Sequence, residues 1–126
     1  MLIEEPDFVT IYGSGDSIAV RHVFIAAIRH LESTYPIDCE YGRRAMGDLV
    51  AVGLEDVQAE GRCPVVRGGT PLATGFLRLT VEKLREPVLA GGEVSHAEFA
   101  QALADLQDPG VTVVAPMTVA AWGMRP

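Results

Sequence analysis

Leu2-Ile3-Glu4-Glu5-Pro6-Asp7-Phe8 passes from two apolar residues straight into three carboxylates divided by a proline. Leu2 and Ile3 suit a buried strand. Glu4, Glu5 and Asp7 suit the loop where such a strand ends. In open α/β sheets ligands bind at the carboxyl ends of the strands. Carboxylates placed there can accept a hydrogen bond from a substrate hydroxyl or amine, or take its proton. Pro6 fixes the backbone between them, so the aim of the side chains is set. Glu4, Glu5 and Asp7 are therefore the first candidate substrate-binding residues. A plainer reading, as solvated loop carboxylates or helix caps, stands beside it.

The chain outward from this stretch alternates between strand and helix patterns. Val9–Tyr12 can extend the strand into the turn Tyr12-Gly13-Ser14-Gly15, and Asp16 or Ser17 can cap the next element. Ile18–Leu31 has helical spacing, with Val20, Phe24, Ala27, Ile28 and Leu31 on one face. A second helix is predicted from about Tyr41 to Val52, ended by Gly53. Leu54, Val57 and Ala59 begin a strand that Val65–Val66 continues past Pro64, a residue that marks a bulge or an edge.

Arg67-Gly68-Gly69-Thr70 is open to two readings. The glycines can bring a ligand close to the backbone, with Arg67 beside it and the amides of the next helix free for an anion. Equally, the segment is a turn from strand to helix. Thr70-Pro71 starts a helix, and Leu72, Phe76, Leu79, Leu84 and Val88 form its apolar face. Ser95–Glu98 has the capping-box pattern ahead of Phe99, Leu103 and Leu106. Val111–Trp122 reads as a strand interrupted by Pro116.

These elements make one α/β domain over residues 1–126. Three strands are few for so many helical segments, so part of the sheet is expected to be missing or supplied by another chain. The net charge of −7 argues against nucleic acid and against an anionic membrane surface. No stretch has the length of a membrane span. Cys39 and Cys63 make no disulfide framework, and a reduced, cytoplasmic setting is the expectation. His22, His30 and His96 lack the spacing of metal ligands, so no metal site is expected. The Tyr12–Gly15 turn lacks the third glycine of a dinucleotide loop and is followed by Asp16, which favours an ordinary turn.

Taken together, LIEEPDF, AVGLEDVQAEG, VVRGGTPLATGFLRLTVEKLREPVLAGG and PMTVAAWGMRP resemble the carboxyl-terminal part of class I S-adenosylmethionine-dependent methyltransferases of actinobacterial type. The resemblance spans Leu2 to Pro126. It implies a partial Rossmann-like sheet, with LIEEPDF resembling the fifth strand, LEDVQAEG the sixth and TVAAWGMRP the antiparallel seventh. The helices over about residues 70–107 resemble an insertion between the last two. The family's glycine-rich turn after its first strand, and the acidic residue ending its second, have no counterpart here. The resemblance thus implies the acceptor side of a truncated methyltransferase. Glu4, Glu5, Asp7 and Arg67 would face a small-molecule methyl acceptor, and S-adenosylmethionine would not bind to this chain alone. In the family the fifth strand lies between the fourth and the seventh. Leu2–Phe8 would then have a bare edge, open to a second copy of the chain or to a separate cofactor-binding chain. The other reading is a non-catalytic small-molecule-binding or subunit-interaction module derived from such an enzyme.

Overall fold

In the computed structural model, which describes residues 1–11 and 15–126, the opening stretch forms strand β1 (Leu2–Asp7). A short 3-10 turn, Phe8–Ile11, leads away from it. Helix α1 (Ile18–Thr34) comes next, with Ser17 Oγ accepting the Val20 amide at 3.0 Å. A 3-10 turn at Tyr41–Arg44 runs into α2 (Ala45–Ala51). Gly53, at φ +85°, lies between α2 and β2 (Glu55–Arg62), in the conformation expected of a helix terminator. Beyond β2 come β3 (Val65–Arg67), a π-helical turn at Leu72–Leu77, α3 (Arg78–Lys83), α4 (Arg85–Ala90) and α5 (His96–Asp105). Strands β4 (Thr112–Val114) and β5 (Met117–Met124) close the chain.

The architecture is mixed α/β, and every strand pairing is antiparallel. The sheet has the order β1-β5-β2, and β3 and β4 form a separate two-stranded ribbon. Among the described residues, three expected strands become five because of two prolines. Pro64 stands between β2 and β3, and Pro116 between β4 and β5. A proline has no amide proton to give to a ladder. The breaks face each other, and the Ala115 amide donates to the Pro64 carbonyl at 2.9 Å.

Two apolar cores result among the described residues. The larger is built from Val20, Val23, Phe24 and Ala27 of α1, Phe99 and Ala102 of α5, and Val81, Val88 and Leu106. The smaller places Ala45 and Leu49 of α2 against Ala121 on one face of the sheet. Along β5, Val119, Ala121 and Gly123 are buried on that face. The opposite face lies uncovered: Leu2, Glu4, Pro6, Gln58, Glu60, Arg62 and Thr118 are exposed.

Four expectations need correction. Glu4, Glu5 and Asp7 lie within β1 rather than in a loop after it, and Phe8–Ile11 forms a 3-10 turn rather than an extension of the strand. β1 is not a buried strand. Leu2 is 63% exposed, because its side chain lies on the uncovered face of the sheet, and among the described residues the outer edge of β1 is also unpaired. The helix after Thr70 also turns a different face inward. Ala73, Leu77 and Val81 are buried, whereas Phe76 and Leu79 stand about half exposed at 48% and 50%. A π turn holds more residues than an α turn and shifts the stripe.

Gly68 sets where that helix begins. Its amide donates to the Val111 carbonyl at 2.9 Å, and a Cβ there would lie 2.2 Å from the Asp108 carbonyl oxygen. Gly68→Ala is therefore expected to cost about 3 kcal/mol through forced backbone movement. Gly47→Ala, inside α2 with nothing within 4 Å of the added methyl, should stabilise by roughly 0.5–1 kcal/mol. Urea unfolding midpoints of the two variants check both signs.

Candidate functional site

The carboxyl ends of β1 and β2 meet at one end of the sheet, where Asp7 pairs with Met117 and Arg62 with Thr118. Strand alternation turns Glu5 and Asp7 toward the inner face of the sheet and Glu4 toward the open one. Asp7 points inward and has no exposed surface. Its Oδ2 accepts from Arg43 Nε at 2.9 Å and from the Arg43 amide at 3.1 Å. Its Oδ1 accepts from Arg43 Nη2 at 3.1 Å and from the Val9 amide at 2.9 Å. Burial pushes the carboxyl up, but the Arg43 side chain, the two amides and the Arg43 charge together outweigh it and hold the pKa below the usual value. The Tyr41–Arg44 turn makes this possible. It seats Gly42 so closely that a Cβ would lie 3.0 Å from both Asp7 Cβ and Val119 Cγ2.

Glu5 is half-buried on the same face, near Tyr41. The Tyr41 phenol is held above its ordinary pKa by a hydrogen bond with Asp48, by burial, and by the charges of Asp48 and Glu5. Glu4 lies on the opposite, open face. There it lines a groove of about 270 Å³ with Glu60, Arg62, Thr118 and Ala120. Arg67 is exposed on the β3–β4 ribbon, opposite Thr112, and lines neither this groove nor the hollow beside it. The structure therefore brings no two of Glu4, Asp7 and Arg67 into one cluster.

At the strand ends lies a second depression, of about 210 Å³. Pro6, Pro64, Leu72, Phe76, Ala115 and Pro116 give it apolar walls, and Thr118 is its polar member. Thr118 also borders the groove, so the two depressions adjoin. Sequence reasoning misses Arg43, Glu60 and Arg62, whose meaning depends on strand register and on a partner 36 positions from Asp7. It places Leu72 and Phe76 in the core. Pro64 and Pro116 are the available signal, since two prolines interrupting two strands mark a place where backbone is withdrawn from a sheet.

No protein-family model and no curated protein sequence matches this chain.

The glycine segments serve the backbone. Of the Tyr12–Gly15 turn only Gly15 lies among the described residues. Beyond it, the Asp16 amide donates to the Thr112 carbonyl and the Asp16 carboxylate accepts the Thr112 amide, at 2.9 and 3.1 Å. Gly69 donates to the Leu106 carbonyl at 2.9 Å, and the Thr70 hydroxyl to the Arg67 carbonyl at 2.7 Å. Cys39 is buried and Cys63 exposed, both as free thiols. Burial, and then the charges of Glu32, Asp38 and Glu40, push the Cys39 thiol up. Among the described residues no group of three His, Cys, Asp or Glu side chains could hold a metal ion, and no helix is long and apolar enough to cross a membrane.

Removing Arg43 leaves the Asp7 charge buried with only two amides. Arg43→Met should cost roughly 2 kcal/mol at pH 7, below the range for fully buried pairs because Arg43 itself is 42% exposed. The depressed Asp7 pKa contributes stability that is fully present above the unfolded value, about 4. That contribution is lost as pH falls from there through the folded value. Chemical unfolding between pH 7 and pH 3 should show a smaller acid loss for Asp7→Asn than for the wild type.

Proposed function

We propose that this chain forms the acceptor side of a class I S-adenosylmethionine-dependent methyltransferase acting on a small molecule. The observation that supports it best is the strand arrangement. The first strand lies beside the last, the last runs antiparallel to it, and the remaining strand flanks the last on its other side. A fifth strand next to an antiparallel seventh is what the sequence resemblance leads one to expect, in a partial Rossmann-like sheet. The hollow lies at the strand ends, the place where ligands bind in such sheets, and the groove adjoins it on the open face.

On this reading the acceptor sits in the hollow. Glu4 faces it from the groove and orients or deprotonates its nucleophile. Asp7 acts through the backbone, since its clamp with Arg43 fixes the position of Pro6 in the hollow wall. Much of the rate of a methyl transfer comes from holding donor and acceptor in line. The chain's share of that work is to hold the acceptor. S-adenosylmethionine, which on this reading the chain does not hold alone, supplies the methyl group. The free edge of β1 accepts the next strand, from a second copy or from a cofactor-binding chain.

The test is reconstitution. The chain is mixed with a separately expressed cofactor-binding half encoded beside it, in the presence of S-adenosylmethionine. Release of S-adenosylhomocysteine is expected only when both chains are present. No release from the mixture, or tight calorimetric binding of S-adenosylmethionine by this chain alone, would overturn the assignment. If release fails while small-molecule binding persists, the non-catalytic module is the correct reading. Size-exclusion chromatography with light scattering addresses the edge separately: a stable, folded monomer that takes up no partner rules out strand addition at β1.

A further inference from the structure

Three rows of side chains cross the uncovered face of the sheet. They are Leu2–Trp122–Gln58, Glu4–Ala120–Glu60 and Pro6–Thr118–Arg62. In the middle row two carboxylates stand one strand to either side of an alanine. Adjacent strands are about 4.8 Å apart, so the Glu4 and Glu60 backbones are roughly 10 Å apart. The methyl group of Ala120 leaves the space between them open, and that space is the groove of about 270 Å³. Neither carboxylate, nor Arg62 beside them, enters an ion pair among the described residues. The groove carries two negative charges against one positive. One row along β5, roughly 7 Å away, Thr118 opens onto the apolar hollow with Phe76 in its wall.

We propose that groove and hollow are one binding site for a compound that carries an aromatic ring and, on a short carbon tether, a cationic amine. This rests on the reading that the acceptor binds at the strand ends, and it names the acceptor's chemical class. The ring enters the hollow, where rigid proline faces and Phe76 offer flat apolar contact at little cost in side-chain freedom. The ammonium lies over Ala120 between Glu4 and Glu60, which accept its hydrogen bonds. An anionic group in that position would meet two like charges, and Arg62 answers only one of them. The net charge of −7 favours the approach of cations over anions.

The experiment is calorimetry on the 126-residue chain with 2-phenylethylamine, 2-phenylethanol and 3-phenylpropionate, without any methyl donor. The amine should bind about tenfold more tightly than the alcohol, and the carboxylate most weakly. The gap between amine and alcohol should narrow as salt rises, because the charged groups are exposed. Glu4→Gln combined with Glu60→Gln should abolish the preference by weakening the amine far more than the alcohol. Phe76→Ala should weaken all three. These side chains are on the surface, so the variants should fold, and circular dichroism verifies it. Equal affinities, a preference for the carboxylate, no binding of any probe, or a preference that survives in the double variant would each refute the proposal. The two readings fail separately. Amine binding without methyl transfer by the reconstituted pair defeats the methyltransferase reading alone. Transfer to neutral or anionic acceptors without amine preference defeats this inference alone.

Discussion

The buried carboxylate of Asp7 is the constraint on which the sheet's end at the carboxyl termini of β1 and β2 depends. A charge removed from water must be met by partners close at hand, and this one is met by a guanidinium and two amides. Meeting it draws three segments together: the end of β1, the start of the 3-10 turn behind it, and the turn that leads to α2. Gly42 fits beneath because it has no side chain. The clamp therefore does more than pair two charges. It decides where β1 stops and where Pro6 is presented, and it positions α2 over the inner face of the sheet.

Much of the local structure is legible in the chain. Ser17 and Ser95 cap their helices in keeping with the sequence pattern, and Gly53 stands in the left-handed conformation beyond α2. Pro116 interrupts the last strand region, as its missing amide proton requires. The rest depends on distant partners. Nothing local in Asp7 says whether it faces solvent or Arg43, and Glu4 and Glu60 become neighbours only through a shared register with Ala120. Periodicity also misleads at Phe76, because a single π turn moves the apolar stripe without changing composition.

Positions that sequence alone treats alike are separated by the fold. Glu4, Glu5 and Asp7 are close neighbours in the chain, yet one lies in an open groove, one beside Tyr41 and one in the interior. Alternation along the strand separates Glu4 from the other two, and the Arg43 clamp separates Asp7 from Glu5. For Arg67 the sequence leaves a ligand-facing role open, as part of a glycine segment. The close contacts of Gly68 and Gly69 with the α5–β4 connection show that segment to be occupied with packing.

The facing prolines have a consequence for how the molecule opens. Where Pro64 and Pro116 stand, the chain passes twice between the sheet and the ribbon without a continuous ladder of amide bonds. Local opening spreads through such ladders and through shared apolar contacts. The core of α2 and the sheet, and the core of α1, α5 and the ribbon, thus meet at a seam with few amide bonds, where opening passes least readily from one to the other. The hollow lies on that seam, with walls drawn from both. Its shape therefore depends on how both clusters pack, and a change in either is felt there.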